Sequence, residues 1–104
     1  MALHTLEFEL ETTSGTASIP APTHVGVTGS SDLEVILEPA PAGKVAVRIV
    51  TPVTGFDELW KRVVKKFTDE TALAGARIEI NDNNATPAVV LLRLKQALTQ
   101  ATAA

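Results

Sequence analysis

From Thr5 to Glu11 the chain alternates without a break, with Leu6, Phe8 and Leu10 on one side and Glu7, Glu9 and Glu11 on the other. A period of two marks a half-buried strand. Residues 12–22, "TTSGTASIPAP", are small residues and turn formers, which predicts a loop. Val25 and Val27 stand two apart in a short candidate strand over 24–28. Leu33, Val35 and Leu37 then alternate with Glu34, Ile36 and Glu38 as far as Pro39. After "APAG", Val45, Val47 and Ile49 alternate with Lys44, Ala46 and Arg48. Two alternating runs joined by a short turn predict an antiparallel hairpin, with Glu34 and Glu38 facing Lys44 and Arg48 across it.

At Thr54 the period changes. Phe56, Leu59, Trp60, Val63, Val64 and Phe67 recur every three or four residues, the spacing of an amphipathic helix. Thr54 with Asp57 has the form of a capping box, and Lys65 and Lys66 fall toward the C-terminal end, where cations suit the helix dipole. Arg77 to Asp82 alternates again, with Ile78 and Ile80 inward. "NDNNATP" follows as a turn, with Thr86 as N-cap and Pro87 in the first helical position. Val90, Leu91, Leu94, Ala97 and Leu98 make the stripe of a last helix, and the tail is expected to fray. Strands early and helices late predict an α+β two-layer sandwich: a mainly antiparallel sheet of four to five strands with two helices on one face. The expectation is one domain over residues 1–104, with 1–3 and 101–104 as loose ends.

Composition narrows the function. The chain has 104 residues, 45% of them apolar, enough for one modest core. Twelve acidic and nine basic residues give a net charge of −3, the wrong balance for a nucleic-acid binder. The one basic run, Lys61-Arg62 with Lys65-Lys66, reads as the wet face of the first helix. With no cysteine there is no disulfide, thiolate zinc site or cysteine nucleophile, and any thiol must come from a bound or attached group. No apolar run reaches a membrane span, and "MALHTLEFELE" lacks a basic start and an apolar signal core, so a cytoplasmic location is expected.

Little in the chain reads as catalytic. His4 and His24 have no partner at metal-ligand spacing, so no metal site is expected. Asp82 sits in an Asn- and Asp-rich stretch of the kind that bonds its own backbone in turns. Gly26 and Gly29 do not form a phosphate loop. Ser30 and Ser31, in "TGSSDLEVILEP", stand between two strand-like runs, where the bland reading is a turn. A catalytic serine needs a base and oxyanion donors, and neither is visible. A serine that only anchors a group needs exposure and a flexible neighbour, which Gly29 supplies.

"GSSDLEVILEP" followed by "EINDNNATPAVVLLRLKQAL" resembles the acyl carrier subunit family of bacterial malonate decarboxylase, and the likeness runs from "TLEFEL" to the last helix. A more distant likeness is to the acyl carrier subunit of citrate lyase. The resemblance implies a carrier of acetyl and malonyl thioesters in the conversion of malonate to acetate and CO2, without catalytic residues of its own. It implies a cofactor, 2′-(5″-phosphoribosyl)-3′-dephospho-CoA, joined to a serine by a phosphodiester and ending in a thiol. The anchor falls on Ser30, after Gly29 and two before Asp32. The family pattern has glycine after the anchor, where this chain has Ser31, so Ser31 is the second candidate. The implied partners are the acetyl/malonyl transferase subunit, the carboxy-lyase subunits and the prosthetic-group transferase. Asp32, Glu34 and Glu38, close to the anchor in sequence, either face those partners or are the wet face of a strand. Two other readings stand: a citrate lyase carrier, and a non-covalent interaction domain with an unmodified loop.

Overall fold

The computed structural model describes residues 3–12, 15–26 and 32–102. Strands β1 (His4–Glu11), β2 (Ala17–Ser18), β3 (Thr23–Gly26), β4 (Asp32–Pro39) and β5 (Lys44–Thr51) come first. Helix α1 (Asp57–Thr71), strand β6 (Leu73–Asn83) and helix α2 (Pro87–Thr102) follow. The fold is α+β with a mostly antiparallel six-stranded sheet in the order β1-β5-β6-β4-β3, and β2 pairs in parallel with the start of β6. The sheet thus has more strands than four or five. The extra one, β2, lies in the stretch expected to be a loop and is two residues long, too short to show a period.

The alternation fixed each strand's inner face. Leu33, Val35 and Leu37 of β4, Val45, Val47 and Ile49 of β5, and Ile78 and Ile80 of β6 are all buried. They form one cluster with Trp60, Val64 and Phe67 of α1 and Val90, Leu94 and Ala97 of α2, so both helices cover the same face. The opposite face carries most of the strands' charged members, whereas Asp82 of β6 lies buried on the helix side.

The expected β4–β5 hairpin does not form. Strand β6 lies between them, antiparallel to β4 and parallel to β5, with Ala76 paired to Pro39 on one side and Val45 on the other. The 40–43 connection must therefore cross over β6, and Gly75 is where it does so. A Cβ there would lie 2.3 Å from the Pro41 carbonyl oxygen and 2.8 Å from that of Ala40. Gly43 also donates its N–H to the Ala74 oxygen at 2.9 Å. The charge pairs change with the topology. Glu38 meets Arg77 at 4.0 Å, Arg48 meets Glu79 at 3.9 Å, and Lys44 meets Glu9 at 3.1 Å. Helix α1 is the crossover that a parallel β5–β6 pair requires.

The helix ends differ from expectation in α1 and at the C-terminus of α2, which takes in residues 101 and 102 that were expected to be loose. The N-cap of α1 is Phe56, without a side-chain cap bond, so Thr54 does not cap. The helix runs on to Thr71, which places Lys65 and Lys66 short of its last turn. At α2, the Thr86 hydroxyl accepts the Val89 N–H at 3.3 Å, as a capping threonine should. The helix continues through Ala101, which is buried. Among the described residues no helix is long and apolar enough to cross a membrane.

Candidate functional site

The register brings one end of every long element together. The start of β1, the ends of β5 and β6, the start of β4 and the end of β3 share one end of the sheet, as do the first turns of α1 and α2. Between Gly26 and Asp32 at this end runs the segment 27–31. It contains Ser30 and Ser31, and both serines lie outside the described residues.

The two flanks of that segment are held firmly. Arg93 of α2 donates from Nε to Asp32 Oδ1 at 3.1 Å and from Nη2 to Oδ2 at 2.8 Å, a bidentate pair. The Leu33 N–H adds a bond to Oδ1 at 2.7 Å, and Arg93 Nη1 bonds Gln96 at 2.9 Å. On the other flank Gly26 has φ +85, and a Cβ there would lie 2.3 Å from the Leu33 oxygen and 3.7 Å from Arg93 Cδ. A side chain would thus strain the backbone and collide with β4, while meeting Arg93 only at ordinary contact distance. Asp32 is therefore paired within the fold. Glu34 is likewise engaged, by Asn81 at 2.7 Å and His24 at 2.9 Å.

The Arg93 hydrogen bonds, then the Leu33 N–H, hold the Asp32 carboxyl below its ordinary value of 3.8, with burial opposing them in part. The same pair raises Arg93. A carboxyl depressed in the folded state stabilises the fold above its unfolded value, and that contribution is lost as pH falls through the folded value. Asp32→Asn is therefore expected to melt below the parent at pH 7, with the gap closing once pH drops under 3.8. Melting curves of both proteins from pH 7 down to pH 2 check this. A gap that does not change with pH would mean that the pair contributes no charge-dependent stability.

The other sequence candidates have structural duties. Asp82 is 4% exposed. It accepts the Thr51 hydroxyl at 2.8 Å and the N–H groups of Asn84 and Ala85 at 3.1 and 2.9 Å. This is the turn chemistry its neighbours suggested. His4 bonds Asp57 at 3.1 Å and thus ties β1 to the start of α1. Among the described residues no three His, Cys, Asp or Glu side chains converge on a metal position. Sequence reasoning missed Arg93. It lies 61 residues from its carboxylate, and the signal was one arginine in an otherwise apolar stretch of helix.

The family model for the malonate decarboxylase delta subunit (MdcD) matches residues 21–101. The chain belongs to that family. Within it, the chain is 44% identical over 103 residues to the malonate decarboxylase acyl carrier protein of Malonomonas rubra, covering 98% of this chain and 92% of the other. It is 47% identical over 95 residues to the Burkholderia cepacia protein of the same name, covering 91% and 87%. Among solved structures, a chain of a Pseudomonas malonate decarboxylase hetero-tetramer in complex with malonate matches with a TM-score of 0.82 and 35% identity, over 93% of this chain and 97% of that one. Asp32 and Gly26, the residues bounding the serine segment, are tied into the sheet and α2.

Proposed function

We propose that this chain is the acyl carrier subunit of a malonate decarboxylase, with Ser30 as the phosphodiester anchor for 2′-(5″-phosphoribosyl)-3′-dephospho-CoA. The reading rests on one observation above all: similarity to malonate decarboxylase acyl carrier proteins over 98% of the chain. The carrier moves acetyl and malonyl groups through the conversion of malonate to acetate and CO2. Its partners are the transferase and carboxy-lyase subunits and the prosthetic-group transferase, in the cytoplasm.

When bound, the arm supplies a terminal thiol for acyl groups. The chain itself supplies position. Gly26 and the Asp32–Arg93 pair hold the residues on either side of the serine segment. A group tethered there visits each partner at high effective concentration, so neither acid nor base is needed on the carrier. The charge-assisted bonds to Asp32 keep that carboxylate occupied rather than poised to take a proton.

Intact mass of the protein purified from its native cell during growth on malonate tests the proposal. The expected result is a mass gain equal to the dephospho-CoA-derived arm, mapped to Ser30. An unmodified mass would leave an interaction domain with a bare loop, and a gain mapped to Ser31 would move the anchor by one residue.

A further inference from the structure

At the same end of the sheet, on the helix side, the first turns of α1 and α2 enclose a pocket of about 160 Å³. Leu59, Trp60, Val63 and Val90 give it apolar walls, and Phe56 and Asn84 stand with them in its lining. Its position is tied to the serine segment by register: Asp32, which closes that segment, pairs with Asn83, the residue before Asn84. Paired Cα atoms lie about 5 Å apart.

One residue of the lining breaks a local rule. Phe56 occupies the N-cap of α1, where small polar residues are favoured, makes no cap bond, and is 48% exposed. Departures of this kind concentrate where function overrides stability. Asn84 holds a left-handed backbone with φ 67 and is exposed.

Size and chemistry limit the occupant. The space equals about five water volumes, below the roughly 300 Å³ at which drug-sized pockets begin. It suits a single ring system, not a whole cofactor. Among the described residues, the only ionisable group in the lining is Asp82, a carboxylate already filled by the Thr51 hydroxyl and two N–H groups. Nothing there would neutralise a phosphate. Aromatic rings stack on planar heterocycles, and an asparagine amide offers the donor and acceptor that the polar edge of adenine needs.

We infer that this pocket seats the adenine ring of the carrier's own arm, with Trp60 and Phe56 against the ring and Asn84 at its polar edge. The inference rests on the carrier reading above. An arm tethered two residues before Asp32 begins at the pocket's end of the sheet, and tethering supplies millimolar effective concentration, so a weak site suffices. Seating the adenine would shorten the free part of the arm.

The chain has one tryptophan and no tyrosine, so its emission reports Trp60 alone. Loaded and bare forms, each verified by intact mass, are compared by Trp60 fluorescence and by the indole N–H resonance. Loading is expected to quench the emission by roughly half, because a millimolar tether half-fills a millimolar site. It is also expected to shift the indole signal. Phe56→Ala and Asn84→Gly should each relieve the quench, and Asn84→Gly keeps the backbone angle available. Free dephospho-CoA added to the bare protein at millimolar concentration should reproduce the quench, and phosphopantetheine, which lacks adenine, should not. A loaded form with the emission and indole signal of the bare form overturns the inference and leaves the carrier reading standing. So does a Trp60 change that appears only when the other subunits are added, which would assign the pocket to a partner's side chain. If native protein carries no arm, the carrier reading falls, and failure of free dephospho-CoA to quench removes the pocket assignment as well.

Discussion

Ser30→Ala is expected to abolish the mass gain and to reduce malonate decarboxylation by the reconstituted assembly to background, a loss of about a thousandfold or more. The substitution removes one oxygen atom. Without the anchor, acyl groups must reach each partner from bulk solution, and the advantage of a positioned, intramolecular reactant over a free one exceeds that factor. Ser31→Ala should keep both the mass gain and the activity, which makes the pair of variants informative. The reverse pattern would assign the anchor to Ser31, at the position where the family pattern has glycine. If both variants gain the arm and turn over normally, either hydroxyl suffices or neither is the anchor, and the mapped peptide of the double variant decides between the two. The assay needs the bare proteins to be folded, and the two melting curves provide that control.

The strands were legible because alternation is local. Leu33, Val35 and Leu37 declare a buried face whatever lies beside them. Their neighbours were not legible. Strands β4 and β5 are four residues apart in sequence, and nothing in either run shows that β6 will slot between them. The decisive residue is Gly75, which reads as an unremarkable glycine until the connection over it is seen. The charge pattern misled for the same reason: Glu38 has a basic partner across β4, but it is Arg77 of β6 and not Lys44 or Arg48. At α1 the capping-box spelling of Thr54 and Asp57 was outweighed by the placement of Phe56. The candidate anchor came from the resemblance, because an acceptor serine needs no constellation around it. The Asp32–Arg93 clamp, made across the fold, waited for the structure.

Asp82→Ala should destabilise the fold by about 3 kcal/mol, which for a domain of this size lowers Tm by roughly 15 °C. The side chain is 4% exposed and gathers three donors: the hydroxyl of Thr51 at the end of β5, and the backbone N–H groups of Asn84 and Ala85 in the turn into α2. Hydrogen bonds to a charged acceptor are each worth about 1.5–3 kcal/mol, and donors left unpaired in a half-buried turn cost more than bonds simply absent. Partial relaxation toward solvent at Asn84, which is exposed, keeps the sum from being fully additive. Thr51→Val removes one donor with little change of shape and is expected to cost about 1 kcal/mol. The double variant should cost less than the two separate losses together, since the partners share a bond. Denaturant melts of the four proteins measure that coupling, and a loss under about 1 kcal/mol for Asp82→Ala would show that the turn holds without its carboxylate. The functional side of the comparison separates structure from chemistry. Asp82→Asn keeps an acceptor oxygen but removes the charge. If Asp82 only organises the turn, this variant should still gain the arm in full at temperatures where it is folded. A folded Asp82→Asn protein that no longer gains the arm would instead give this carboxylate a direct part in attachment.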